Sequence, residues 1–180
     1  MNEGLRNRLE QAIKASKTPR SLGRMQQGVD FSSNDYLGLA KEYSHGSLPS
    51  GSTGSRLLTG NSDLAEAAES HLASAFGFPH CLIYPSGYTA NIGILSCIPK
   101  RGDMVLFDQY AHSCIKDGAR LSTAGHQSFL HNDLNDLERR LKKQTGNSFV
   151  VVESIYSMDG GEAPLSELAT LCLAYDAGLI

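Results

Sequence analysis

Apolar positions divide the chain into an irregular first third and a regular remainder. Leu5, Leu9 and Ile13 recur at every fourth position among charges, which predicts an amphipathic helix that docks on a larger body. Pro19 ends that periodicity. The stretch Asp30-Phe31-Ser32-Ser33-Asn34-Asp35-Tyr36-Leu37-Gly38-Leu39 is polar between apolar anchors, as in irregular backbone held by Asn and Asp side chains. Residues 51–60 are irregular too. A helix follows, with Ser62 or Asp63 as cap, Glu66 as capping-box partner and Leu64, Ala68, Leu72 and Phe76 as its apolar stripe; Gly77 closes it. Beyond it the pattern becomes regular. Short apolar runs at 81–84, 104–107, 128–130 and 149–152 predict strands, and helical patterns at 88–98, 112–121, 133–143 and 166–175 follow them. Gly178-Leu179-Ile180 reads as the start of another strand.

Strands alternating with helices predict an α/β fold with a largely parallel sheet and helices on both faces. In such a sheet the strands end on one edge, and ligands bind in the crevice beyond their carboxyl ends. Polar residues directly after successive strands are then neighbours. Three clusters qualify: Ser86-Gly87-Tyr88, Asp108-Gln109-Tyr110-Ala111-His112 and Glu153-Ser154-Ile155-Tyr156-Ser157. The first opens a helix, whose unpaired N–H groups and dipole favour an anion such as phosphate. Each cluster also has a plain structural reading. Gly87 serves a turn, His112 and Asp133 serve as caps, and Ser157 begins the turn Ser-Met-Asp-Gly-Gly. Residue types and spacing alone therefore give a ligand crevice and no reaction.

Composition narrows the class without adding chemistry. The 180 residues are 41% hydrophobic and 19% charged, ordinary for one globular domain with a core. A net charge of −3 and the lack of a basic cluster exclude an electrostatic footprint for nucleic acid. Cys81, Cys97, Cys114 and Cys172 are scattered, as expected of reduced thiols in a cytoplasmic protein. No apolar run approaches the roughly 20 residues of a membrane span. The glycine-rich stretch at 51–60 lacks the Gly-Lys-Ser/Thr ending of a nucleotide phosphate loop.

Several motifs in register resemble the α-oxoamine synthases, pyridoxal-phosphate enzymes of the aspartate-aminotransferase fold (fold type I). Asn34-Asp35-Tyr36-Leu37-Gly38-Leu39 is similar to the family's signature, and residues 51–61 to its Gly-Ser-x-Gly-Ser-Arg-x-x-x-Gly-Asn segment. Asp108 to His112 resembles its Asp-x-x-x-His, and Glu153 to Pro164 its Glu-x-x-x-Ser-Met-Asp-Gly-x-x-Ala-Pro stretch. The turn Ser86-Gly87-Tyr88-x-Ala90-Asn91 is most like the biotin-pathway members, whereas siblings usually carry a cysteine there.

The resemblance implies a decarboxylating acyl transfer between L-alanine and pimeloyl-CoA or a pimeloyl-carrier protein, with pyridoxal 5'-phosphate as cofactor and a homodimer as the assembly. It implies that Gly87 and Tyr88 hold the cofactor phosphate, that His112 stacks on the pyridine ring and meets substrate, and that Ser157 bonds the phenolic oxygen. Arg20 matches the arginine that receives a substrate carboxylate, with Arg24 as its competitor; Glu153 and Asn34 match positions near the substrate. Residues 1–45 then form an N-terminal helix and irregular arm, and 46–180 the first part of the large cofactor-binding domain. The family's Asp-Glu-Ala-His strand end and Schiff-base lysine motif have no match in these 180 residues, and none of the lysines present substitutes for that lysine. The rival expectations are a sibling synthase using glycine or another acyl-CoA, and a non-catalytic anion-binding α/β fragment.

Overall fold

The computed structural model of the chain describes residues 3–15, 33, 35, 37–39 and 51–180. These fall into two compact units, one of residues 1–14 with 84–180 and one of residues 15–83.

The larger unit is built on a four-stranded sheet, β1 (Met104–Asp108), β2 (Gly125–Phe129), β3 (Ser148–Val151) and β4 (Gly178–Leu179). The spatial order is β2-β1-β3-β4 and every pairing is parallel. This is the predicted architecture. Asp108 pairs in register with Phe129, and Phe107 with Val151, so the strand ends share one edge. Alternation along β1 and β3 sorts the core into two faces. Val105, Phe107, Phe149 and Val151 pack with Leu95, Ile115 and Ala119 on one side. Leu106 and Val150 pack with Phe129, Leu137, Leu141, Tyr156 and Leu168 on the other. With both faces covered, the two inner strands read as continuous apolar runs.

The N-terminal helix α1 (Glu3–Ala15) belongs to this unit through residue 14. Leu9 packs against the first core face. Arg8 donates to the Asp103 carboxylate at 2.5 Å and to the Ile98 carbonyl at 3.0 Å. Ile13 is exposed, so a polar anchor does much of the docking that its apolar stripe suggested. Helices α3 (Gly87–Cys97) and α4 (Ser113–Leu121) cover the first face, and α5 (Leu134–Leu141) and α6 (Leu165–Ala174) the second. At Gly118 a Cβ would sit 3.0 Å from the Asn91 carbonyl oxygen and 3.0 Å from the Leu95 Cβ. A side chain there would push α4 and α3 apart by a few tenths of an ångström, and glycine avoids that.

In the smaller unit, α2 (Asp63–Ala75) is capped by the Ser62 hydroxyl, which accepts the Ala65 N–H at 3.2 Å. Two expectations fail here. The Glu66 carboxylate accepts from Asn61 instead of closing a capping box. The buried positions of α2 are Glu69 and Ala73, while Leu64 and Phe76 are exposed. The cause is ionic. Arg56 grips Glu69 through both terminal nitrogens, at 2.5 and 2.9 Å, and turns that face inward. The hydrogen bond from Arg56 holds the Glu69 carboxyl below its usual range against the upward push of burial.

Residues 81–84, expected as a strand, form none. Leu82, Ile83 and Tyr84 are exposed, and none of these residues pairs with the four-stranded sheet. An apolar run becomes a strand only where a neighbouring backbone accepts its hydrogen bonds. The third strand also lies earlier than expected, at 125–129 instead of 128–130.

Candidate functional site

Beyond the strand ends, the clusters after β1 and β3 meet each other and the turn that opens α3. Ser86 is extended (φ −160°, ψ 158°) and caps α3, its hydroxyl accepting the Thr89 N–H at 3.1 Å. Its carbonyl accepts the Ala90 N–H. Gly87 and Tyr88 are the first two helical residues, so their N–H groups have no carbonyl within the helix to bond. A Cβ at Gly87 would meet nothing within 4 Å. The result is an open pair of donors at the positive end of an 11-residue helix, a cradle suited to a phosphate.

The Tyr88 hydroxyl donates to Asp117 at 2.8 Å, a bond that raises its pKa. Its ring lies edge-on to the His112 imidazole, with centroids 6.5 Å apart. His112 ends the loop after β1 and caps α4: its Nδ1 accepts the Cys114 N–H at 3.2 Å. The backbone N–H of His112 donates to Glu153 Oε1 at 2.5 Å. That bond joins the end of β1 to the end of β3. Gly87, Tyr88, His112 and Glu153 are thus one constellation; His112 and Glu153 follow strands as the strand-end rule requires, whereas residues 81–84 ahead of Gly87 form no strand. Ser157 is exposed in the turn after β3, which closes through the Tyr156 N–H to Gly161 carbonyl bond and the Ile155–Glu162 bridge. Among the described residues, no hydrogen bond joins Ser157 to His112, although both lie in the same unit. Arg20, Arg24 and Asn34 lie outside the described residues.

After β2 the sequence reading saw only a cap, which Asp133 provides, although the same strand-end rule selects His131 and Asn132 for the site. Asp108, fully buried at the end of β1, accepts the Tyr110 N–H at 2.7 Å, the Asn132 N–H at 2.9 Å and His131 Nδ1 at 2.9 Å. His131 stacks on Tyr110, centroids 4.3 Å apart, and meets Tyr156 edge-on at 4.6 Å. Its Nε2 lies 3.3 Å from Asp159, in the turn that carries Ser157. Burial, then the Asp108 charge, drives the Tyr156 phenol far up in pKa, so it stays protonated. Asp108 and His131 therefore brace the strand ends and the 157–161 turn from below. Asn91 was also missed, because only the packing of α3 on α4 brings it to Cys114, the residue whose N–H His112 caps.

The donor set fits pyridoxal phosphate: an anion cradle, an imidazole face beside it and a hydroxyl-bearing turn on the neighbouring strand end. Comparison with known proteins agrees. The model of the aminotransferase class I and II family matches residues 26–180. The chain is 42% identical over 163 residues to the 8-amino-7-oxononanoate synthase of Methylobacterium radiotolerans, covering 83% of this chain and 43% of that protein. It is 35% identical over 184 residues to the enzyme of the same name from Cellvibrio japonicus, covering 97% and 46%. The chain therefore spans about half the length of the curated relatives it matches.

Among solved structures, the serine palmitoyltransferase of Sphingomonas wittichii superposes with a TM-score of 0.69 at 35% identity, over 72% of this chain and 33% of that one. A serine palmitoyltransferase solved with PLP gives 0.72 at 26%, over 98% and 50%. The 8-amino-7-oxononanoate synthase of Francisella tularensis gives 0.55 at 29%, over 62% and 32%. The parallel sheet, the family match and these neighbours together place the chain in the aminotransferase class I and II family, with the PLP-dependent transferase fold.

Proposed function

We propose that the protein is a PLP-dependent decarboxylating acyltransferase that condenses L-alanine with a pimeloyl thioester, on CoA or a carrier protein, to 8-amino-7-oxononanoate. The observation that carries the cofactor assignment is the open N–H pair of Gly87 and Tyr88 beside the His112 imidazole, whose Nδ1 caps α4 while the His112 backbone N–H is held by Glu153. The curated relatives bearing that enzyme's name support the choice of substrates.

When bound, pyridoxal phosphate supplies an electron sink that makes the amino-acid α-proton acidic. In this reading, Gly87 and Tyr88 donate their N–H groups to the phosphate, and the dipole of α3 adds to the attraction. The His112 face fixes the plane of the ring and its edge meets substrate. Ser157 donates to the phenolic oxygen. Arg20 receives a carboxylate of the substrate through its two-pronged guanidinium. The full assembly is a homodimer.

The serine palmitoyltransferase neighbours favour one alternative, a sibling synthase that uses another amino acid or acyl donor. Assaying the natural polypeptide with alanine, glycine and serine against pimeloyl, acetyl and palmitoyl thioesters separates the two. Turnover confined to alanine with the pimeloyl donor is the expected result. Preference for another pair would assign the sibling activity, and the lack of a visible PLP absorbance band would favour a non-catalytic anion-binding protein.

A further inference from the structure

His112 Nδ1 receives more than a helix cap. It lies 3.0 Å from the Cys114 Sγ as well as 3.2 Å from the Cys114 N–H. The same sulfur accepts an N–H from the Asn91 side-chain amide at 3.1 Å. Cys114 is 3% exposed, whereas His112 is exposed, so the ring is tied inward at one nitrogen only. Among the described residues, no hydrogen bond to Nε2 of His112 is found. The close approach at Gly118, one turn beyond Cys114 on α4, brings Asn91 of α3 into range.

Donor accounting fixes the roles. The Cys114 N–H has no helical carbonyl to bond and must be satisfied by Nδ1. Nδ1 is therefore an acceptor, and a neutral imidazole that accepts at Nδ1 carries its proton on Nε2. With its lone pair engaged by the Asn91 amide, the thiol is free to turn its S–H to the same Nδ1. We propose that Asn91 and Cys114 are positioning residues that hold His112 as the Nε2–H tautomer, making it a hydrogen-bond donor toward the crevice. The proposal deepens the cofactor-site reading above and rests on it only for the use made of that donor.

NMR of the natural polypeptide labelled at histidine nitrogen, without cofactor and at alkaline pH, tests this directly, with His112 assigned from a His112→Gln variant. The expected spectrum has an unprotonated Nδ1 and a protonated Nε2. Cys114→Ser, which keeps a donor, should retain it. Cys114→Ala should shift the tautomer ratio about fivefold toward Nδ1–H, the equivalent of one net hydrogen bond. Asn91→Ala should move it the same way, and serves alone if Cys114→Ala does not fold. A protonated Nδ1 in the unsubstituted protein overturns the proposal. So does a ratio unmoved by the alanine variants, since a purely structural role would lower the melting temperature only. Because no cofactor is present, the result stands apart from whether the protein binds PLP.

Discussion

At the scale of single residues, the site is held by a few polar atoms with several duties each. Asp108 is the clearest case, a fully buried carboxylate that satisfies two backbone N–H groups and one imidazole. Asp108→Ala leaves all three without an acceptor and should lower stability by about 2–4 kcal/mol in chemical denaturation. The hydroxyl of Tyr88 has a smaller part. Tyr88→Phe removes one exposed bond to Asp117, so a loss of no more than about 1 kcal/mol is expected, with the backbone cradle intact. These residues were only partly legible in the sequence. Asp108 closes β1, and His112 and Glu153 stand in the segments after β1 and β3, where a parallel sheet collects them. His131 stands after β2 and obeys the same rule. Asn91 and Cys114 obey no local rule, since their meeting depends on the glycine contact between two helices.

At the scale of elements, the regular half of the chain was readable because each strand found a partner. The run at 81–84 has the right residues but pairs with no strand of the sheet, and its apolar side chains are exposed. The stripe of α2 was misread for a different reason: an ion pair from Arg56 outweighs apolar periodicity and buries Glu69. Helix α5 has a comparable anchor with a pH signature. Burial pushes the Asp136 pKa upward, but bonds from Arg140, the Leu130 N–H and Arg139 outweigh it and bring it down to about 2. A carboxylate depressed in the folded state adds stability that is present above the ordinary aspartate range near 3.9 and lost as pH falls through its folded value. Denaturation midpoints should therefore drop between about pH 4 and about pH 2, and Asp136→Asn should flatten that portion of the profile.

At the scale of the larger unit, β1 and β3 form the centre of the sheet, and Asp108, His112 and Glu153 hang from their ends. Leu106, Val105 and Val150 are fully buried, so amides of β1 should exchange with solvent most slowly, and those of the two-residue β4 faster. Leu106→Ala should cost about 2–5 kcal/mol overall. The central functional claim concerns the backbone at the start of α3, and one substitution pair isolates it. Gly87→Ala keeps the N–H and meets open space. Gly87→Pro deletes that donor at the first helical position, where proline suits the helix and the extended Ser86 before it. The decisive measurement is PLP affinity of the natural polypeptide with these two variants, read from the absorbance of the bound cofactor. Near-native affinity for Gly87→Ala and a loss of about 10- to 100-fold for Gly87→Pro is the expected result. Equal affinities in a folded Gly87→Pro protein would contradict the phosphate cradle.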